Sequence, residues 1–185
     1  MYNLSQRANT AFSLATSVLF TILGIVAAIS FVTGYGSPSS AKVQVKNIRV
    51  VQSRYGPDYF DYGRKTSEFG MIKFDLDADL SDLFNWNTKQ LFVSVVAEYE
   101  TKTHNKNQVV IWDKIIRNKE SAKLSLRNVP NKYALIDFGQ KWRKQQARLS
   151  LHWDVTPWVG TFQMGSSNTS AAVFTFPQVE NQSGR

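Results

Sequence analysis

The stretch that decides the architecture lies near the amino terminus, where Ala11–Val32 reads AFSLATSVLFTILGIVAAISFV. It is the apolar centre of a run of 34 residues, Ala8–Ala41, that contains no charged side chain. As a helix rising ~1.5 Å per residue, these 22 residues extend about 33 Å. That length matches the ~30 Å hydrocarbon core of a bilayer. We therefore predict one uncleaved membrane-spanning helix over residues 11–33, after a short tail at residues 1–10.

Two other structures could contain so apolar a segment. A cleaved signal peptide has a shorter apolar region of ~7–15 residues, although Ala27, Ala28 and Ser30 are small enough to imitate a cleavage site. A soluble helix that is apolar on every face needs a larger core around it than this chain offers. The membrane span is therefore favoured over both.

One side of this helix carries small residues. Ser17, Thr21, Gly24 and Ala28 fall at i, i+4, i+7 and i+11, which places them on one stripe. Such a stripe allows another membrane helix to approach closely. Alternatively, the helix faces lipid and its hydroxyl groups bond to its own carbonyls. Both interpretations stay open from the sequence.

The rest of the chain has the pattern of β-structure. Residues 34–41 have linker composition, which predicts that the domain is freed from the helix. Short segments rich in β-branched and aromatic residues follow, without a long amphipathic helix, and predict an all-β antiparallel sandwich over residues 42–178 before a polar tail at 179–185. The predicted strands are Val43–Val50, Met71–Asp77, Leu91–Tyr99, Val109–Ile116, Ala122–Leu126, Ala147–Thr156, Val159–Met164 and Ala171–Phe176, with Tyr133–Phe138 as a further candidate.

Three details of this pattern are specific enough to check. Leu91–Tyr99 is almost continuously apolar, which predicts a central strand. The alternation of the first strand slips in phase between Val45 and Ile48. Between strands, Asp79–Asn87 predicts one helical turn and a loop, with Phe84 and Trp86 plugging the core.

Composition excludes several kinds of chemistry. The 185 residues include no cysteine, so there are no disulfides, thiolate metal sites or cysteine nucleophiles. Two histidines cannot form a three-histidine metal site. The net charge is +8, from 22 basic and 14 acidic residues. We predict no metal and no cofactor.

Ser150, His152 and Asp154 are the residue types of a hydrolytic triad and share one face of a predicted strand. Same-face neighbours lie ~7 Å apart along a strand and project in parallel. A nucleophile must meet its base within ~3.2 Å. We therefore predict that these residues form an ordinary polar strand face, and that catalytic residues are absent.

The charged clusters have equally plain interpretations. Asp75, Asp77, Asp79 and Asp82 lack the glycine turn and final glutamate of a calcium loop, which favours a solvated strand face. The basic run Lys141–Arg148 predicts a solvated hairpin tip, and we expect no nucleic acid to bind there. Basic residues after the span either touch anionic lipid headgroups or are simple surface charge: Lys42, Lys46, Arg49 and Arg54.

Three stretches resemble a known family. They are Asp79–Tyr99 (DLSDLFNWNTKQLFVSVVAEY), Asn107–Ile116 (NQVVIWDKII) and Leu149–Gly160 (LSLHWDVTPWVG). They resemble the third, glycoprotein subunit of the eukaryotic signal peptidase complex, and the chain looks like a fungal member. The short tail with Arg7, the single span and the ending Val173–Pro177 are similar as well.

The resemblance implies a single-pass protein of the endoplasmic reticulum membrane, with a cytosolic amino terminus and a lumenal sandwich. It implies a non-catalytic subunit that holds and stabilises the catalytic subunit of signal peptidase, a serine-type enzyme. Other small membrane subunits and membrane lipid are the further partners. Two alternatives remain: an independent membrane-anchored lumenal binding or chaperone-like module, and a membrane-bound hydrolase that uses His152.

Glycosylation is the point where the chain departs from the family. Animal members carry an acceptor site just before the strand that matches Leu149–Asp154, whereas this chain has Gln145–Arg148 there. Acceptor triplets occur instead at Asn168 and Asn181. Asn168 is the leading candidate, because Asn181 lies in the polar tail.

Overall fold

The computed structural model describes residues 3–53, 67–101, 104–136, 142, 144–167 and 171–178. One helix, α1, spans Leu4–Thr33, and it is long and apolar enough to cross a membrane. The structure confirms an all-β domain after a single apolar helix. Its strands are β1 Ser40–Ser53, β2 Ser67–Asp79, β3 Thr88–Tyr99, β4 Asn107–Ile116, β5 Lys123–Pro130, β6 Gln146–Pro157, β7 Gln163–Ser166 and β8 Ala172–Thr175.

The described strands form two antiparallel sheets around a shared core. One has the order β1-β2-β5, and the other has the order β4-β3-β6, with β7 and β8 both paired to the outer side of β6. The prediction that Leu91–Tyr99 is central is confirmed, because β3 pairs with β4 and β6. The core draws its largest buried side chains from both sheets and the connections: Phe74, Ile72, Leu76, Leu91, Ile111, Leu149, Trp142 and Phe176.

The phase slip in β1 has a structural counterpart. The register between β1 and β2 shifts between Val45 and Asn47, so that Lys46 is the extra residue of a β-bulge. Val43 and Val50 are seven residues apart and would face opposite sides of a regular strand. Because of the bulge, both point into the core. The Lys46 ammonium pairs with the Asp75 carboxylate at 3.2 Å.

A short strap after β5 crosses from one sheet to the other. The Asn131 amide donates to the Ile72 carbonyl of β2, and the Lys132 amide donates to the Ile111 carbonyl of β4 at 2.7 Å. Leu135 forms a single bridge with Gly70. The strap therefore covers part of the edge of β4 and seals one side of the sandwich. The further strand considered at Tyr133–Phe138 is only this bridge in the part described, and residues 137–138 lie outside it.

Two other expectations need correction. Trp86 does not plug the core: it is 62% exposed, and Leu80 and Leu83 fill that position around a short 3-10 turn. The strand predicted from Val159 begins only at Gln163. The reason is that residues 158–160 turn aside to meet the helix, with the Trp158 amide donating to the Asn87 carbonyl at 2.8 Å.

Candidate functional site at the helix junction

The helix and the sandwich meet through one buried asparagine. The Asn87 amide group donates to the Ser30 hydroxyl at 2.8 Å and to the Val159 carbonyl at 2.7 Å, while its oxygen accepts from the Val159 amide at 3.2 Å. Ser30 is the one residue described as buried in α1. Every polar atom of the Asn87 side chain thus has a partner, which offsets the cost of burying it.

The segment between helix and sandwich is held along its length. The Asn85 amide group donates to the Gly34 carbonyl at 3.4 Å, and the Ser39 amide donates to the Asp79 carbonyl at 3.1 Å. Gly36 passes so close to the Asp82 carbonyl that a Cβ would collide with it. The expectation that this segment frees the domain from the helix is therefore wrong.

The loop after β6 lies against the side of the helix. Gly160 has φ of 119°, a conformation that favours glycine. A Cβ on Gly160 would lie 3.7 Å from the Ala27 Cα. Ala27 precedes the end of α1 by six residues, or about 9 Å, so the loop reaches back along the helix.

The stripe of small residues on α1 does not face the sandwich. At about 100° per residue, Ser17, Thr21, Gly24 and Ala28 centre roughly 120° around the helix from the face of Ala27 and Ser30. All four are exposed. The Ser17 and Thr21 hydroxyls donate to the carbonyls four residues earlier, both at 2.9 Å. The sandwich leaves this stripe uncovered, and its role in helix packing stays a prediction.

The geometric expectation for the triad-like residues is wrong in one respect. Ser150 Oγ lies 2.9 Å from His152 Nε2, because the two side chains lean together on the outer face of β6. Ser150 is fully buried, however, and the carboxylate near His152 is that of Glu98, 4.0 Å from the same nitrogen. A triad instead places its acid on the other ring nitrogen and leaves its nucleophile accessible. The arrangement therefore lacks the geometry for acyl transfer.

The acidic cluster on β2 is occupied by local partners. The Asp75 carboxylate accepts a hydrogen bond from the backbone amide of Asn128, and the Asp77 carboxylate accepts one from the Arg127 guanidinium at 2.7 Å. The Asp79 carboxylate accepts from both the hydroxyl and the backbone amide of Ser81. These hydrogen bonds lower the pKa of all three carboxyl groups. Asp82 accepts from Ser39. The cluster is thus a set of paired carboxylates. The expectation of a solvated strand face is wrong at Asp75, which is buried, and Asp82 lies in the 3-10 turn after β2.

The aromatic residue of the basic run is not available for stacking on a base. Trp142 is fully buried between Tyr99 and Phe176, at ring-centroid distances of 4.9 and 4.5 Å. Its backbone amide donates to the Glu68 carboxylate at 2.8 Å. The expectation of a wholly solvated hairpin tip is therefore wrong at Trp142, whereas Lys141 and Arg143 lie outside the described residues.

β4 has one covered face and one open face. Ile111 and Ile116 are buried, whereas Val110 and Ile115 are 39% and 48% exposed. In the register, Val110 lies opposite Val96 and Ile115 opposite Phe92 on β3. Val96 is buried, at 6% exposed, and Phe92 is half-buried. We call Phe92, Val110 and Ile115 the outer patch. Within the described chain, the core face of β4 is therefore the covered one.

Sequence reasoning missed a polar cleft at the end of the sandwich away from the helix. It has a volume of about 550 Å³. Its walls come from the end of β3, the start of β6 and the loop before β4. No local sequence pattern indicates that these segments meet. Charged groups of both signs line it, among them Glu98, Glu100, Lys106 and Arg148.

Several predicted residues remain untested by geometry. Asn168, Asn181 and Arg54 lie outside the described residues, so glycosylation stays a prediction. Among the other basic residues after the span, Lys42 and Arg49 are exposed, and Lys46 is occupied by Asp75. Their contact with lipid headgroups also stays a prediction.

Known proteins are similar in sequence to this chain over nearly its whole length. A family model described as signal peptidase subunit matches residues 1–179. Signal peptidase complex subunit 3 of Debaryomyces hansenii is 37% identical over 175 residues, which cover 92% of each chain. The proteins of the same name from Yarrowia lipolytica and Homo sapiens are each 35% identical, covering 97% and 88% of this chain and 100% and 92% of their own. This chain belongs to the signal peptidase subunit family.

Proposed function

We propose that the protein is a non-catalytic subunit of the signal peptidase complex in the endoplasmic reticulum membrane. Residues 1–10 are cytosolic, 11–33 span the bilayer, 34–41 connect, 42–178 form the lumenal domain and 179–185 form a polar tail. Its role is to hold and stabilise the catalytic subunit during removal of signal peptides. The names of the relatives support membership, and the fixed junction between Asn87 and Ser30 is the observation that carries the role.

A fixed junction suits a subunit that positions another protein. A partner that contacts both the helix and the sandwich gains a second attachment at high effective concentration once the first has formed. Because the junction is already ordered, less conformational freedom is lost on binding. The catalytic subunit would thereby be held at one height above the bilayer.

The two contacts can be assigned to surfaces that the sandwich leaves open. In the membrane, the stripe of Ser17, Thr21, Gly24 and Ala28 faces other membrane subunits. In the lumen, the outer patch faces the catalytic subunit, because its apolar side chains lie on a sheet face beside an edge strand. Covering such a face is typical of a stable subunit contact.

Affinity capture from native membranes in mild detergent tests this proposal. The tagged protein should retain the catalytic subunit, and Val110→Glu should reduce that recovery without lowering the melting temperature. Met71→Glu is the matched control, since Met71 is an exposed apolar residue of the other sheet. A protein that migrates alone would contradict the proposal and favour an independent binding module.

Topology has a separate test. Protease added to intact microsomes should spare residues 42–185 and trim only the tail before Ala11. A mature amino terminus between Ala28 and Ser40 would show instead that the helix is a cleaved signal peptide.

The non-catalytic role is tested by Ser150→Ala and His152→Ala in the assembled complex. Turnover should be retained, because the buried Ser150 hydroxyl cannot reach a substrate. A loss of about 10⁴-fold with normal assembly, the scale for a true catalytic residue, would support the hydrolase alternative.

A further inference from the structure

Three exposed aromatic side chains occur close in sequence to the residues that contact the end of α1. Trp86, Trp158 and Phe162 are 62%, 67% and 65% exposed. They lie on the two loops that hold the helix, residues 84–87 and 158–162. The Trp158 amide bonds to the Asn87 carbonyl, and Asn87 bonds to Ser30, which places both loops beside the last turns of α1.

The position of these loops along the helix sets their depth. A span of residues 11–32 centred on a ~30 Å hydrocarbon core reaches its far boundary near residue 31. Gly160 packs at the level of Ala27, about 6 Å on the membrane side of that boundary. The loop that carries Trp158 and Phe162 therefore lies at the depth of the headgroups and upper acyl chains.

The charge pattern fits that depth. No charged residue occurs from Val155 to Val179, or from Leu83 to Thr88. The cation next to this surface is Lys89, whose ammonium lies 5.4 Å from the centre of the Trp158 ring. Indole rings favour the bilayer interface, where one edge is wet and the other apolar, and a lysine there can reach lipid phosphate.

We propose that these two loops are a second membrane contact, with Trp86, Trp158 and Phe162 inserted at the bilayer interface and Lys89 directed to lipid phosphate. The occupant of this surface is the lipid bilayer and not another protein. The bilayer is the expected occupant because both loops lie beside a helix that itself crosses it. This membrane contact depends on the span and the junction and holds whether or not the protein has the subunit role proposed above.

The absence of cysteine from the chain makes a direct test possible. Single cysteines carry a nitroxide label in the full chain, reconstituted into phosphatidylcholine vesicles. Thr161→Cys reports on the loop, Phe20→Cys on the middle of the span and Asn105→Cys on the far end of the sandwich. All three positions are exposed. Collision of each label with oxygen, which enters lipid, is compared with collision with a water-soluble nickel chelate.

We expect the oxygen-to-nickel ratio at Thr161 to exceed that at Asn105 several-fold and to approach that at Phe20. Adding Trp158→Ala and Phe162→Ala should lower the ratio at Thr161 and leave the ratio at Phe20 unchanged. A ratio at Thr161 equal to that at Asn105 would overturn the proposal. In the assembled complex, a Thr161 label shielded from both reagents would show that a protein covers this surface, which would also overturn it.

Discussion

The two ends of the sandwich use tryptophan in opposite ways. At the far end, Trp142 is fully buried, and both its backbone amide and its indole N–H donate to Glu68. At the helix end, Trp86 and Trp158 expose most of their surface. The far end is closed by aromatic packing, whereas the helix end is closed by the hydrogen bonds of Asn87. The difference shows that residue type alone does not indicate which aromatic side chains hold the fold.

The largest expected effect comes from removing the buried ring. Trp142→Ala should lower the free energy of unfolding by about 3–5 kcal/mol, because a large core side chain is lost and the Glu68 carbonyl loses its indole donor. Trp158→Ala, the matched control at the other end, should change it by less than about 0.5 kcal/mol. Thermal unfolding of the full chain in detergent measures both. Equal melting temperatures for the two variants would contradict the claim that the two ends use tryptophan differently.

The helix end should respond to the loss of its asparagine. Asn87→Ala leaves buried polar groups without partners, at about 1–3 kcal/mol for an unmade bond. Ser30→Ala removes the contacts of its hydroxyl with Asn87 and with the Tyr35 hydroxyl but keeps both bonds between Asn87 and Val159, so it should cost less. Nitroxide labels at Phe20 and Lys114 would give a distance distribution that broadens in Asn87→Ala, since the helix is then free to pivot. An unchanged distribution would show that the loop contacts alone fix the helix.

The burial of Trp112 is intermediate between that of Trp142 and that of Trp158. Trp112 is half-buried in β4 and packs edge-on against Phe74, at a ring-centroid distance of 6.3 Å. Trp112→Ala should therefore destabilise the domain by about 0.5–3 kcal/mol, less than Trp142→Ala. Weakened recovery of the catalytic subunit with an unchanged melting temperature would place Trp112 at a partner interface instead. A variant normal in both respects would contradict the described packing of β4.

The smallest effect concerns charge on the flank between the two ends. Hydrogen bonds from Lys132 and Tyr133 lower the pKa of Asp113. A carboxyl group with a folded pKa below its unfolded value of ~3.9 stabilises the fold above that value, and this contribution is lost as the pH falls through the folded pKa. Asp113→Asn should therefore lower the melting temperature slightly at pH 7 and make no difference in strong acid. A difference that persists in acid would have a cause other than this ion pair.

Local pattern was sufficient to predict most of the strands. The apolar run of β3 identified a strand buried on its core side and flanked by two neighbours, and the phase slip near Lys46 identified the bulge. Both signals arise within a few residues. The start of β7 was predicted too early. Residues 158–160 have strand-like composition, but their hydrogen bonds to Asn87 hold them toward the helix.

The junction could not be predicted, because its partners are far apart in sequence. Asn87 lies 57 residues from Ser30 and 72 from Val159, and nothing in the composition of residues 34–41 indicates that Asn85 and Asp79 hold them. The contact of Ser150 with His152 was missed for a different reason. Strand spacing fixes the backbone distance but not the side-chain torsions, which here bring the two groups to 2.9 Å.

The junction at Ser30 couples the sandwich to bilayer thickness. The apolar part of α1, Ala11–Val32, measures about 33 Å, slightly more than the ~30 Å it must cross, and a modest tilt of the helix brings the two lengths together. A flexible connection would absorb that tilt before it reached the domain. Held by Asn87, the domain instead leans with the helix, and a thinner bilayer leans it further. Local membrane thickness thereby becomes a variable that sets the orientation of the whole β-domain.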